Sequence, residues 1–76
     1  MKTIDPKMCN VYFGEFIKAV REEKKLSQEE VATMLGVGQP FLSRIERGQR
    51  VIDLNQAIML CSILEVDLRD FVEKYL

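Results

Sequence analysis

Apolar residues recur at helical spacing along nearly the whole chain, and polar residues mark where each run starts and stops. Phe13, Phe16, Ile17 and Val20 define a first helix from about Val11 to Lys24, capped by Asn10 unless Asp5-Pro6 starts it earlier. Ser27-Gln28-Glu29-Glu30 has the form of a capping box, in which the Ser27 hydroxyl meets the Glu30 amide and the Glu30 carboxylate reaches back. Leu26 and Val31 can clasp across that turn. A second helix therefore opens at Gln28, turns Val31, Met34 and Leu35 inward, and ends at Gly36, where the absence of Cβ permits φ > 0. Pro40 falls in the first turn of a third helix, about Gln39 to Arg47, which Gly38 caps and Gly48 stops. Asp53 with Gln56 begins a fourth, whose apolar stripe is Leu54, Ala57, Ile58, Cys61 and Leu64. Asp67, flanked by Val66 and Phe71, begins a fifth that uses Leu68, Phe71, Val72 and Tyr75. Alternating strand patterns and internal repeats are missing. Five helices with short links predict one all-α domain over residues 10–76, after a polar lead at residues 1–9.

Composition narrows the chemistry. Hydrophobic residues make up 47% of the 76 positions and charged residues 30%, which suits a packed core and not a disordered tail. Histidine is absent, and Cys9 and Cys61 stand in no metal-binding spacing, so no metal site and no cofactor is expected. Cys61 sits among Met59, Leu60, Ile63 and Leu64 and reads as a small buried hydrophobe; Cys9 is undecided. With neither a secretory signal pattern nor a long apolar run, the expected location is the cytoplasm, with no membrane partner. No arrangement of nucleophile and base is visible, which argues against an enzyme.

The net charge of −1 excludes a uniformly basic nucleic-acid coat, but the charge is unevenly spread. Residues 1–50 hold nine basic and seven acidic side chains, whereas residues 51–76 hold two and five. The basic surplus belongs to the half that carries the most specific motif. Two short helices joined by a glycine-containing turn, here from Gln28 to Arg47, form a helix-turn-helix. Ala32 is small where the helices cross, and Val31, Leu35, Val37, Leu42 and Ile45 supply the apolar contacts between them. Around the third helix, Leu42 and Ile45 point one way with Phe41 at their edge. Pro40, Ser43, Arg44 and Arg47 point the other way, flanked by Gln39.

That outward face suits duplex DNA. The Gln39 amide can pair with adenine and Arg44 can present two parallel N–H groups to guanine, each good pair discriminating by roughly 1–3 kcal/mol. Gln28 adds a donor at a helix N-terminus whose free amides already favour phosphate, and Arg47 and Arg50 sit where the chain leaves the groove. Phe41 reads as a core-edge residue in preference to a contact with a thymine methyl, and Arg21 and Glu46 as structural in preference to DNA-contacting.

The set Phe13-Gly14, Arg21, Ser27 to Ala32, Gly36 and Ser43 to Gly48 closely resembles the Cro/cI-type (XRE-like) helix-turn-helix regulators, especially small stand-alone ones such as restriction–modification controller proteins. The resemblance covers about residues 10 to 76. It implies a five-helix, lambda-repressor-like DNA-binding domain that works as a homodimer on a pseudo-palindromic operator. On this resemblance Gln39, Pro40, Ser43 and Arg44 occupy base-facing positions, and Gln28 matches a phosphate-contacting glutamine. Arg21 and Glu46 match a pair tying the first helix to the reading helix. Two departures stand out: Gly38 and Pro40 replace small polar residues often found there, and Val51-Ile52-Asp53 replaces a common Pro-Ser before the fourth helix.

Met59 and Ile63 lie off the fourth helix's stripe, and the chain ends in Tyr75-Leu76. This surplus apolar surface makes Met59, Ile63, Tyr75 and Leu76 candidates for a homodimer interface, which would set two reading helices about one DNA turn apart. The rival expectation is a protein-binding module, antitoxin- or adaptor-like, that uses the same helices to grip another protein.

Overall fold

The computed structural model describes residues 8–75. Five helices follow one another: α1 (Cys9–Glu23), α2 (Gln28–Leu35), α3 (Gln39–Glu46), α4 (Leu54–Ile63) and α5 (Leu68–Tyr75). No strand occurs among the described residues.

Two helix starts follow from reciprocal side-chain bonds. Ser27 Oγ accepts from the Glu30 amide at 3.0 Å while Glu30 Oε1 accepts from the Ser27 amide at 3.1 Å. Asp53 and Gln56 repeat the arrangement at 2.8 and 3.3 Å. Such boxes satisfy amides that a helix start otherwise leaves to water. The start of α1 differs from expectation. Met8 precedes its first helical residue and no side chain caps it. Asn10 is already inside the helix, which begins one residue earlier at Cys9. Asp5 and Pro6 lie outside the described residues.

The core comprises Phe13, Phe16 and Ile17 from α1, Val31, Ala32 and Leu35 from α2, and Leu42 and Ile45 from α3. Leu60, Cys61, Leu64 and Phe71 close it from the C-terminal side. An aromatic seam joins α1 to α5: Tyr12 stacks on Tyr75 with centroids 5.6 Å apart, and Phe71 meets Phe13 edge-on at 5.2 Å. Edge-on and offset rings put the positive rim of one against the negative face of the other.

Gly14 sets how closely α1 crosses the end of α3. A Cβ there would lie 2.3 Å from the Ile45 carbonyl oxygen and 2.7 Å from that of Glu46, distances that only backbone movement could relieve. The crossing in turn brings Arg21, two turns further along α1, beside Glu46.

Three expected inward faces are corrected. Met34 is 50% exposed, because Val31, Ala32 and Leu35 already fill the contact of α2. On α4, Leu54 is 67% and Ile58 51% exposed, while Leu60, absent from the expected stripe, is fully buried. The whole helix is rotated toward Leu60, with Cys61 and Leu64 keeping their inward places. Val72 of α5 is likewise exposed.

Candidate nucleic-acid interface

The helix-turn-helix comprises α2 and α3 joined by Gly36-Val37-Gly38. Gly36 adopts φ 81°, and its amide and that of Val37 bond back to the Thr33 and Ala32 carbonyls. The turn therefore closes on the end of α2 and releases the chain into α3, where Pro40 occupies the first turn without a wasted donor. Leu42 and Ile45 face inward and are almost wholly buried. Gln39, Pro40, Arg44 and Arg47 are exposed on the other side, with Ser43 half-buried among them.

Beneath this surface lies a connected polar chain. Arg21 Nε donates to Glu46 Oε2 at 2.6 Å and Nη2 donates to Oε1 at 3.0 Å, a two-pronged pair in which both residues are buried. Arg21 Nη1 adds a bond to the Leu26 carbonyl at 2.8 Å, fixing the loop before α2. The hydrogen bond to Glu46 raises the guanidinium's already high pKa, against the opposing effect of burial. Glu46 Oε1 also accepts from Gln28 Nε2 at 2.8 Å. Gln28 Oε1 in turn accepts from Gln39 Nε2.

This order dictates the amide orientations. A carboxylate offers only acceptors, so Gln28 must turn its NH2 toward Glu46 and its oxygen outward. Gln39 must then donate to that oxygen, which leaves its own carbonyl and one N–H free at the exposed start of α3. No buried side-chain polar atom among the described residues lacks a partner. The sequence contains each member of the chain, but the link from Gln28 to Gln39 and Glu46 depends on the crossing of three helices and had no local signature.

Arg47 Nε donates to the Ser43 carbonyl at 3.3 Å, which lays its guanidinium along the C-terminal end of α3. Arg50 is exposed and its guanidinium carbon lies 4.3 Å from the centre of the half-buried Phe41 ring. Of the apolar candidates, Met59 is 47% exposed on α4. Ile63 is half-buried against the core, Tyr75 is held in the aromatic seam, and Leu76 lies outside the described residues. No group of His, Cys, Asp and Glu among the described residues is placed to hold a metal ion. No helix among them is long and apolar enough to cross a membrane.

Two short helices, α2 and α3, packed across a three-residue turn with Gly36 within an all-α domain are a helix-turn-helix. The helix-turn-helix family HTH_3 matches residues 17–71, and the chain belongs to it. The HTH-type transcriptional regulator YqaE of Bacillus subtilis is 38% identical over 56 residues, 74% of this chain and 48% of that protein. The chain spans less than half the length of the curated relatives it matches. Among solved structures, the restriction-modification controller protein C.AhdI from Aeromonas hydrophila superposes with a TM-score of 0.80 at 31% identity, covering 90% of this chain and 99% of that one. The restriction-modification controller protein C.Esp1396I, solved as a tetramer in complex with its natural 35 base-pair operator, gives 0.71 at 28% identity over 93% and 91% of the two chains.

Proposed function

We propose that this chain is a cytoplasmic transcriptional regulator without catalytic activity that binds double-stranded DNA by sequence, with α3 in the major groove. The observation that carries the reading is the polar chain from Arg21 through Glu46 and Gln28 to Gln39. It ends in an oriented amide at the exposed start of α3. A free carbonyl beside a free N–H is the complement of adenine's N6 donor and N7 acceptor. Arg44, exposed one turn further along, offers the forked donors that guanine accepts. Pro40 and Ser43 border the same bases. Gln28, Arg47 and Arg50 surround the helix and contact phosphates, which sets register and affinity without reading sequence.

The domain acts as a homodimer on a two-fold symmetric site. Leu54, Ile58 and Met59 are apolar side chains that α4 leaves exposed in the single chain, and Ile63 of the same helix and Tyr75 of α5 are only partly buried. Residues 51–76 carry two basic and five acidic side chains, so pairing through this part turns the negative surface away from DNA. C.Esp1396I, a similar protein, assembles on its operator as a tetramer.

Selection of duplexes from a random pool tests both parts. A symmetric site should emerge, bound with steeply falling affinity as salt rises. Arg44→Ala should reduce discrimination at one base position of each half-site by roughly five- to a hundredfold, whereas Arg47→Ala should weaken all sequences alike. Unchanged binding in both variants would refute the reading face. Absence of any selected site, with retention of a protein partner, would favour the adaptor reading.

A further inference from the structure

The turn after α3 brings Arg50 back over the helix it follows. Gly48 adopts φ 71°, and its backbone packs so closely on Val11 that a Cβ would lie 2.7 Å from the Val11 Cα. The Gly48 and Gln49 amides bond to the Ile45 and Arg44 carbonyls at 3.0 and 2.9 Å, which fixes the reversal. Arg50 then lies against the flank of α3, its guanidinium carbon 4.3 Å from the centre of the Phe41 ring. Phe41 is itself half-buried against the core, so its ring is a fixed platform. Among the described residues no carboxylate is within ion-pair distance of Arg50.

We infer that Phe41 is a positioning residue for Arg50, and that its ring orders the guanidinium for a DNA phosphate instead of touching a base. This role presupposes the phosphate contact proposed for Arg50. A guanidinium lying on an aromatic face is attracted by the ring's negative quadrupole, while its N–H groups, which lie in its own plane, stay free at the rim. The stack therefore restricts a long side chain before DNA arrives and spends none of its donors. Ordering that would otherwise oppose binding is completed in the free protein. The alternative occupant of Phe41, a thymine methyl, would compete with the guanidinium for the same ring.

The test is a double-variant cycle read by affinity on one selected duplex and one unrelated duplex, across a range of salt. Arg50→Ala should weaken binding to both and lower the salt slope by about one. Phe41→Leu should weaken binding to both by about two- to fivefold, with no further loss when added to Arg50→Ala. Phe41→Tyr, which keeps the ring, should bind as the parent does. Thermal unfolding of each variant separates a packing defect from a loss of positioning.

A Phe41→Leu loss of equal size with and without Arg50, or one confined to the selected duplex, would overturn the inference and make Phe41 a direct contact or a packing residue. Parental affinity in Arg50→Ala would instead remove Arg50 from the phosphate set, and the inference with it, while leaving the reading of bases by α3 intact.

Discussion

α3 and α4 are both short and both touch the core, yet they divide their faces in opposite ways. α3 buries Leu42 and Ile45, with Glu46 paired to Arg21, and leaves Gln39, Pro40, Arg44 and Arg47 outside, so one rotation about its axis is strongly favoured. α4 carries Leu54, Ala57, Ile58, Met59, Leu60, Cys61 and Ile63 around most of its circumference. Several rotations would bury comparable apolar area, and packing against α2 and α5 selects the one that encloses Leu60. A helix that is amphipathic announces its inner face. A helix that is apolar on most sides does not, and it leaves apolar side chains outside.

The largest expected effect breaks the α3 side of this contrast. Glu46→Ala would leave the buried Arg21 guanidinium without its carboxylate and release Gln28 as well. A loss of about 3–5 kcal/mol is expected in urea unfolding at neutral pH, a large share of the roughly 5–15 kcal/mol that holds a domain. Because Arg21 stays charged throughout the accessible pH range, raising or lowering pH should not recover it. A loss below about 1 kcal/mol would mean that water replaces the carboxylate and that the pair does not hold α1 to α3.

A paired substitution on α4 sharpens the other side. Leu60→Ala removes a fully buried side chain and should cost about 2–5 kcal/mol. Ile58→Ala, half exposed, should change the stability of the monomer by no more than about 0.5 kcal/mol, while weakening self-association measured by sedimentation. Equal costs at the two positions in dilute protein would show that the inner face of α4 has been assigned wrongly.

The smallest effect concerns how the helices end. α2 and α3 are closed by Gly36 and Gly48 at positive φ, but the corresponding residues after α1 and α4 are Lys25 at φ 59° and Glu65 at φ 54°. Each is locked by the same pair of back-bonds: the Lys25 and Leu26 amides return to the Glu22 and Arg21 carbonyls, and the Glu65 and Val66 amides to those of Ser62 and Cys61. A side chain in this left-handed region costs about 1–2 kcal/mol, partly offset in glycine by its freer unfolded chain. Glu65→Gly should therefore raise stability by about 0.5 kcal/mol, visible as a small upward shift of the melting temperature. A decrease would mean that the Glu65 side chain contributes more than its backbone strain costs.

The legible parts of this protein were those decided within one or two turns of chain. Ser27 with Glu30, Asp53 with Gln56, Pro40 at a helix start and the glycines at two helix ends each act on neighbours a few residues away, so spacing alone located α2, α3 and α4. The row of Gln39, Ser43, Arg44 and Arg47 was visible for the same reason, since helical periodicity separates it from Leu42 and Ile45. The uncapped start of α1 and the left-handed Lys25 and Glu65 escaped because no residue type advertises them.

What the tertiary structure alone decided required residues far apart in the chain to meet. Gly14 matters because the carbonyls of Ile45 and Glu46 pass where its side chain would be. The orientation of the Gln39 amide follows from a carboxylate and a glutamine on other helices, and Phe41 meets Arg50 only because the chain reverses against Val11. The inner face of α4 is fixed by what packs on it, because its own sequence offers apolar side chains in nearly every direction. Local periodicity and capping are short-range, and they specified the helices; crossing angles and side-chain partners are collective, and they turned those helices into one ordered surface.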